Sequence, residues 1–335
     1  MRLVTFQSGR GAPRAGALID AGQTVVDLQS AYRLRHKKSA RQLASVLAIM
    51  AGGDAALDLA RTVLAKLPKR SEARVDRAAV KLLAPVPVPP QMRDFLCFEK
   101  HLIQGFEAAR KMRAQQSPDP DAALAEMKAK GQFAVPQTWY ERPIFYHPSR
   151  FAVCGHDTEV LWPSYCQALD FELEFGCYIG APGKDIPKSR SREHIFGYTI
   201  FNDFSARDEQ TKDMAGQLGP GKGKDFDNAN AMGPCVVTAD ELANPYDLAM
   251  SVRVNGDEWG RGNTRDMHWK FEDCIAHVSR SETLHTGEFL GSGTVGNGCG
   301  LEQMRFLKPG DVVELEVEHI GVLRNRVVAP AEFAR

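Results

Sequence analysis

The chain has 335 residues, more than one domain of ordinary size requires. Lys and Arg number 42, as do Asp and Glu, so the formal net charge is zero and no basic excess favours a nucleic-acid partner. The apolar N-terminal run is shorter than a signal-peptide core, and no later stretch is long enough to span a membrane. We therefore expect a cytoplasmic protein without a membrane partner.

Seven cysteines are scattered along the chain, and no CxxC pair occurs among them. This odd, dispersed set argues against a disulfide framework and against a thiolate zinc site, since both need matched spacings. We expect buried, reduced thiols instead.

Residues 1–85 are expected to form a small N-terminal domain. The runs LVTF and GALID predict short strands, and residues 39–50 and 55–67 favour helices. The segment APVPVPPQ follows, and its prolines stiffen the backbone and remove hydrogen-bond donors, so it predicts a linker. The domain boundary is placed there, with a second domain over residues 86–335.

The second domain begins with residues 94–112, where Phe95, Phe98, Leu102 and Phe106 recur at helical spacing. Residues 113–141 are polar and predict a mobile cover or a surface insertion. From residue 143 onward, strand-like runs alternate with turn signals. The pattern predicts an α+β, β-rich catalytic domain built as a rolled or layered sheet.

The segment FELEFGCYIG carries two carboxylates at a spacing of two. On a strand, Glu172 and Glu174 therefore lie on one face. A solvated strand face is the common origin of this pattern. Here the strand continues as GCYIG, apolar on both faces, which predicts that both sides are covered. A carboxylate on a covered face must be protonated, paired or bound to metal.

Other candidates stand in two segments. Asp203 ends the apolar run of residues 195–201, and Arg207 and Gln210 follow at a spacing that shares one helical face. The alternative makes Asp203 a helix cap and Arg207 a surface charge. Asp94 and His101 are seven residues apart, so on a helix they would face the same way. A structural histidine is the alternative there.

Two glycine-rich segments bear on the reaction class. QLGPGKGKDF offers backbone amides, Lys222 and Lys224 to an anion. It resembles a nucleotide P-loop, but Gly223 stands where Ser or Thr is required and no buried strand precedes it. GSGTVGNGCG permits close backbone approach to a ligand, but it lacks the Gly-x-Ser-x-Gly elbow of serine hydrolases.

The acidic candidates supply only oxygen ligands, which suit a hard cation such as Mg²⁺, Mn²⁺ or Ca²⁺. No HExxH motif competes with them. In chain order, Asp94 to His101, YH, ELE, NDFSARDEQ, GK and GT closely resemble the fumarylacetoacetate hydrolase family, as does the closing LKPGDVVELEVEHIGVLRN. The resemblance runs from about Asp94 to Asn325.

The resemblance implies a mixed β-sandwich-like roll, a homodimer, and a role for each matching residue. The implied metal ligands are Asp94, Glu172, Glu174 and Asp203, with Mg²⁺ or Mn²⁺ as the expected ion and Ca²⁺ as a further option. The implied catalytic residues are His101 as general base and Arg207, Gln210 and Lys224 as stabilisers of negative charge, while Tyr146 and Thr294 resemble substrate contacts. Family members often pair the histidine with a glutamate three residues later, where this chain has Gln104; Glu99 and Glu107 remain open as its partner.

The implied reaction is hydrolysis of a C–C bond in a small 1,3-dicarbonyl or acylpyruvate-type oxo acid or diketone, in the catabolism of aromatic or related compounds. Hydrolysis is favoured over decarboxylation because Arg207, Gln210 and Lys224 offer more donors than metal-bound oxygens need, and because His101 supplies a base for water. A 2-oxo acid hydratase, decarboxylase or isomerase fits the same scaffold. A non-catalytic metal-binding scaffold is the alternative from another class.

Overall fold

The computed structural model describes residues 1–115 and 117–329. The helices are α1 (Leu28–His36), α2 (Val46–Ala51), α3 (Gly53–Ala65), α4 (Glu99–Ala114), α5 (Pro120–Ala129), α6 (Gln137–Glu141), α7 (Arg207–Ala215) and α8 (Phe271–Val278). The strands of the first half are β1 (Arg2–Gln7), β2 (Arg14–Ile19), β3 (Thr24–Asp27), β4 (Arg74–Asp76), β5 (Lys81–Leu83), β6 (Met92–Phe95), β7 (Phe145–Tyr146), β8 (Val153–Cys154), β9 (Glu159–Leu161) and β10 (Leu169–Asp170). Those of the second half are β11 (Leu173–Ile179), β12 (Gly183–Lys184), β13 (Ile195–Asp203), β14 (Ser205–Ala206), β15 (Asn230–Thr238), β16 (Ala249–Val254), β17 (Asp257–Asn263), β18 (Thr283–Leu284), β19 (Phe289–Gly291), β20 (Val312–Val317) and β21 (Gly321–Val328).

One large mixed sheet organises the molecule. Its strand order is β4-β3-β2-β1-β15-β13-β11-β19-β6-β7, and a smaller sheet has the order β17-β16-β20-β21-β9. The smaller sheet packs over β11, β13 and β15. The expected α+β, β-rich layered fold is confirmed.

The central strands are apolar on both faces because both faces of the large sheet are covered. Every residue of β11 and β13 is buried. On one face, Tyr178 and Phe201 pack with residues from α1–α3, such as Ile49. On the other face, Phe175 and Ile200 share a core with strands of the smaller sheet. Carboxylates on these strands therefore lie away from bulk water.

The helix expected over residues 94–112 is wrong for its first turn. Asp94 lies on β6, which pairs in parallel with β19, and α4 begins only at Glu99. The apolar spacing of residues 95–106 resembles one continuous helix, but its first members are buried for other reasons. Phe95 is buried as part of strand β6, and Phe98 is buried at the N-cap position of α4. Seven residues therefore separate Asp94 from His101 across a strand–helix junction rather than along one helix.

The N-terminal expectations hold with shifted bounds. LVTF and GALID lie in β1 and β2, while the two expected helices begin at Val46 and Gly53. α1 was missed, although Asp27 caps it by accepting from the amides of Gln29 and Ser30. β1 pairs with β15, so the N-terminal region extends the large sheet. The division into residues 1–85 and 86–335 stays a prediction, and residues 330–335 lie outside the described residues.

The polar segment of residues 113–141 forms the end of α4, then α5 and α6. α5 buries no residue, whereas Trp139 on α6 is buried and its indole N–H donates to the Leu96 carbonyl at 2.6 Å. The hydrogen bond holds α6 against Leu96, just after Asp94, while α5 lies at the surface. In the described part of the chain, none of the helices combines the length and apolarity needed to cross a membrane.

Candidate active site

Three carboxylates converge where neighbouring strands of the large sheet meet. Asp94 comes from β6, Glu174 from β11 and Asp203 from the last position of β13. One carboxylate oxygen from each lies within 4.8 Å of the others. All three residues are buried, with at most 4% of their surface exposed. The strand order therefore brings Asp94 close to Asp203, although the two are more than a hundred positions apart in the sequence.

The glycine-rich segment after β19 supplies hydrogen-bond donors to this cluster. The backbone N–H of Gly293 donates to Asp94 Oδ1 at 3.2 Å and to Glu174 Oε2 at 3.1 Å. The Thr294 hydroxyl donates to Glu174 Oε1 at 3.4 Å. Gly293 has φ +74°, and a Cβ there would lie 2.1 Å from the Phe95 carbonyl oxygen. Glycine is therefore required for this amide to reach the carboxylates.

Glu172 points toward two cations rather than into the three-carboxylate cluster. The Lys224 ammonium donates to Glu172 Oε2 and to Asp203 Oδ2, each at 2.6 Å. Arg207 Nη2 lies 2.8 Å from Glu172 Oε1 and 2.8 Å from Asp170 Oδ2. Lys224 thus joins Glu172 to the cluster through Asp203. The expected role of Glu172 as a metal ligand stays a prediction.

Burial raises the pKa of the Asp94 and Glu174 carboxyls well above their usual range. Repulsion by Asp203 raises the pKa of Asp94 further, and repulsion by Asp94 raises that of Glu174. Burial also raises the pKa of Asp203 to about 6, against the lowering effect of Lys224. Glu172 differs: burial acts to raise its pKa, but Lys224 and Arg207 together hold it below the usual value. The three carboxylates of the cluster therefore lack enough neighbouring positive charge to stabilise their ionised forms. Glu172 has that charge from Lys224 and Arg207.

The cluster fits a divalent cation by charge and by donor chemistry. Asp203 Oδ1 is buried and has no hydrogen-bond partner. A buried carboxylate oxygen without a partner is costly unless a cation or water meets it. The carboxyl groups buried here are Asp94, Asp170, Glu172, Glu174 and Asp203, and the buried cations facing them are Lys224 and Arg207. Oxygen donors with this excess of negative charge suit Mg²⁺ or Mn²⁺.

His101 on α4 is held by an acidic partner that sequence reasoning missed. Its Nδ1 lies 2.8 Å from Glu302 Oε1, and the Glu302 side chain is 1% exposed. Glu99 instead accepts from Tyr140, and Glu107 pairs with Lys111 at 2.9 Å. His101 lies close enough to Glu172 to add to the lowering of its pKa, after burial, Lys224 and Arg207. His101 therefore lies in the same site as Glu172.

The remaining predicted residues fall at two distances from the cluster. The Tyr146 hydroxyl donates to Asp203 Oδ2 at 2.6 Å, so this tyrosine contacts the cluster directly. Gln210 lies farther away: its Oε1 accepts from Arg207 Nη1 at 3.0 Å, and Arg207 pairs with Glu172 rather than with the cluster. Gln104, which occupies the family's usual glutamate position, donates to Asn297 Oδ1 at 2.6 Å and accepts from the Asn297 amide. It ties α4 to the glycine-rich segment.

Asp170 also escaped the sequence analysis. It is fully buried and accepts from the Gly300 amide at 2.8 Å, from the Leu301 amide at 2.9 Å and from Arg207 Nε at 2.8 Å. One signal was available for it: the acidic pattern of FELEF begins one residue earlier, in DFELEF. Glu302 carried no local signal, because it lies about two hundred positions from His101.

Known proteins resemble this chain over nearly its whole length. The family model described as fumarylacetoacetate (FAA) hydrolase C-terminal matches residues 119–328. The mitochondrial oxaloacetate tautomerase fahd2 of Xenopus laevis is 31% identical over 98% of this chain and 90% of its own. The mitochondrial oxaloacetate tautomerase FAHD2A of Homo sapiens is 32% identical over 98% of this chain and 92% of its own.

Among solved structures, the 5-carboxymethyl-2-hydroxymuconate delta-isomerase of Mycobacterium smegmatis shares the fold. Its TM-score is 0.67 at 24% identity, covering 98% of this chain and 100% of that one. Because the family model spans more than half of the residues and two relatives match nearly end to end, the chain belongs to the fumarylacetoacetate hydrolase family.

Proposed function

We propose that this protein is a divalent-metal-dependent tautomerase that interconverts the keto and enol forms of a small 2-oxo acid, with oxaloacetate as the first candidate. One observation carries the chemistry: a histidine oriented by a buried glutamate stands beside an oxygen-only carboxylate cluster. The names of the Xenopus laevis and Homo sapiens relatives support this reaction over others that the same site suits.

The metal ligands in this proposal are Asp94, Glu174 and Asp203, with Glu172 held next to them by Lys224. A bound divalent cation supplies Lewis acidity, which withdraws electrons from a carbonyl and makes the adjacent C–H more acidic. Gly293 and Thr294 orient the glutamate, and Tyr146 orients Asp203. These contacts fix the ligand oxygens before any substrate arrives.

His101 moves the proton. Glu302 holds Nδ1, which leaves Nε2 as the nitrogen that faces substrate. His101 takes a proton from the carbon next to the carbonyl, and the electron pair of that C–H bond forms the enolate double bond. The imidazolium then returns the proton to the enolate oxygen, which gives the enol with no net change in protons. Glu302 stabilises the transient positive charge on the ring.

The structure weakens the sequence-based preference for hydrolysis. That preference took Arg207, Gln210 and Lys224 as spare donors for substrate. Arg207 is instead held by Asp170 and Glu172, and Lys224 by Glu172 and Asp203. Fewer hydrogen-bond donors therefore remain to stabilise a departing enolate. A proton transfer between carbon and oxygen needs fewer such donors than C–C bond cleavage does.

Hydrolysis of a 1,3-dicarbonyl oxo acid is the second candidate, because the base that removes a carbon proton also activates water. The His101–Glu302 pair, at 2.8 Å, favours it as much as it favours tautomerisation. Both reactions use the same metal cluster. The distinction lies in whether the carbon skeleton of the substrate stays intact.

The test follows the enol form of oxaloacetate by ultraviolet absorbance in excess Mg²⁺. We expect the protein to accelerate its decay to the keto form beyond the rate with Mg²⁺ alone, and we expect a chelator to abolish the acceleration. His101→Ala should lose the acceleration, whereas His36→Ala, a matched change on α1 at the surface, should keep it. Equal rates with and without protein would contradict the tautomerase and favour the non-catalytic scaffold.

The second assay offers acylpyruvates in ¹⁸O-labelled water and identifies products by mass spectrometry. Tautomerase action leaves the skeleton intact. Cleavage into two fragments with the label in a new carboxylate supports hydrolysis and would replace the leading proposal. Gain of one water without cleavage indicates a hydratase, and release of carbon dioxide without a labelled acid indicates a decarboxylase.

Assembly and compartment stay predictions. A homodimer is expected from family membership, and a light-scattering mass twice that of the 37.0 kDa chain would support it. The expectation of a cytoplasmic location gains no support from the relatives named above, because both carry mitochondrial names.

A further inference from the structure

A second group of metal-binding atoms lies beside the carboxylate cluster and includes a thiol that the proposed reaction does not use. A ring nitrogen of His101, Cys299 Sγ and a carboxylate oxygen of Glu302 all lie within 4.8 Å of one another. Cys299 is 1% exposed, and its backbone bridges to Glu172. The Cys299 amide also donates to Glu302 Oε2 at 3.3 Å. The thiol is therefore held close to the base and its partner.

The two neighbouring groups of ligands differ in softness. The carboxylate cluster offers oxygen only, which suits Mg²⁺ or Mn²⁺. Imidazole, thiolate and carboxylate together suit Zn²⁺, which binds such atoms more tightly than hard divalent ions do. Cysteine spacing could not reveal this group, because it combines one thiol with a histidine and a glutamate from distant segments.

Charge balance favours a divalent ion at this group. A thiolate and a carboxylate with a neutral imidazole neutralise one Zn²⁺, so the buried complex carries no net charge. Burial, and then Glu302, raises the pKa of the Cys299 thiol well above its usual value, so the free thiol keeps its proton. Binding therefore replaces one S–H bond with one S–Zn bond and releases one proton to solvent.

We infer that His101, Cys299 and Glu302 form an inhibitory site for Zn²⁺ or a similar borderline-soft cation, separate from the carboxylate cluster. The ion takes the place of the proton on Nδ1, where Glu302 lies, so the neutral imidazole carries its proton on Nε2 and can no longer accept one. Turnover therefore stops while the catalytic metal stays in place. The inhibitory effect rests on the proposed function, whereas binding of the ion does not. Water or substrate completes the four ligands that Zn²⁺ prefers.

The binding test uses Co²⁺ as a spectroscopic probe, added to the full chain in excess Mg²⁺. Thiolate bound to cobalt gives an intense near-ultraviolet charge-transfer band, which an oxygen-only site does not give. We expect this band in the wild type and its loss in both Cys299→Ala and His101→Gln. Cys154→Ala, a matched change of a buried cysteine on β8, should keep it. Absence of the band from the wild type, or its persistence in Cys299→Ala, would overturn the site.

The inhibition test adds Zn²⁺ to the Mg²⁺-loaded protein during the enol assay. We expect turnover to fall, and a chelator selective for Zn²⁺ over Mg²⁺ to restore it. Cys299→Ala should need more than about tenfold more Zn²⁺ for half-inhibition, because losing even an outer contact of a metal site lowers metal affinity by roughly that factor. Equal sensitivity of wild type and Cys299→Ala would overturn the inhibitory role. If the wild type shows no turnover without Zn²⁺, the proposed function fails, while the cobalt band still decides the site.

Discussion

At the scale of single residues, the contact between His101 and Glu302 governs what the imidazole does. A carboxylate 2.8 Å from Nδ1 selects the tautomer with its proton on Nδ1, so Nε2 presents a lone pair. Glu302 is itself oriented by the Cys299 amide. His101 is thus oriented by Glu302, next to the glycine-rich segment, whereas Gln104 on α4 pairs with Asn297.

We expect His101→Ala to lower kcat by roughly two to four decades, the usual worth of a general base. Glu302→Gln should cost less, about ten- to a hundredfold, because it removes one charge-assisted hydrogen bond and leaves the ring in place. Steady-state kinetics on the enol assay measures both, with KM near its wild-type value. A loss of bound Mg²⁺ in His101→Ala with turnover retained would show that His101 is a ligand or a bystander.

At the scale of elements, Asp170 joins three parts of the site. It follows Leu169 on β10, holds Arg207 at the start of α7, and accepts from the Gly300 and Leu301 amides just before Glu302. Arg207 in turn pairs with Glu172. One buried carboxylate therefore contacts the backbone just before Glu302 and, through Arg207, the side chain of Glu172.

Asp170→Asn is expected to reduce both stability and turnover. The asparagine amide keeps the volume but removes the negative charge that Arg207 faces, and breaking a buried ion pair costs about 3–5 kcal/mol of the free energy of unfolding. Asp247→Asn is the control, because its pair with Arg265 is exposed and is worth about 1 kcal/mol or less. Urea denaturation and kcat measure the two effects; equal urea midpoints for the two variants would refute the role given to Asp170.

The sequence predicts local elements well and long-range contacts poorly. Period-two spacing and the apolar GCYIG are local signals, and they predict a doubly covered strand for Glu172 and Glu174. The prediction is right for Glu174, which lies on β11, and wrong for Glu172, which precedes the strand and forms an isolated bridge to Cys299. Asp94 was placed on a helix because aromatic spacing cannot distinguish a strand followed by a helix from one continuous helix. The partners of His101 and Arg207 come from segments that only tertiary folding brings close.

At the scale of the whole molecule, we expect the carboxylate cluster to make the stability depend on pH and on a bound divalent metal. Burial raises the folded-state pKa of Asp94, Glu174 and Asp203, to about 6 for Asp203. A raised acidic pKa contributes stability that is present below the unfolded value, near 4, and lost as the pH rises through the folded value. Glu172 has the opposite shift, so its contribution is constant above the unfolded value of its pKa.

Without metal, the cluster should therefore make the protein less stable at pH 8 than at pH 5, and Mg²⁺ should reverse this loss. At a hundred times its dissociation constant, a ligand that binds only the folded state adds about 2.7 kcal/mol to the free energy of unfolding. The gain should approach that value at pH 8 and shrink at pH 5, where protons compete with the ion.

Urea midpoints at both pH values, with chelator and with Mg²⁺, measure this gain. Glu174→Gln is the reference, because it should lose the Mg²⁺ response. Subtracting its pH profile of stability removes the effect of titrations elsewhere. One of these is the titration of His156, whose pKa is lowered by burial. The decisive quantity is the rise in urea midpoint on adding Mg²⁺, compared between wild type and Glu174→Gln. If the difference between the two proteins in this rise is the same at pH 5 and pH 8, the three carboxylates do not form the metal site.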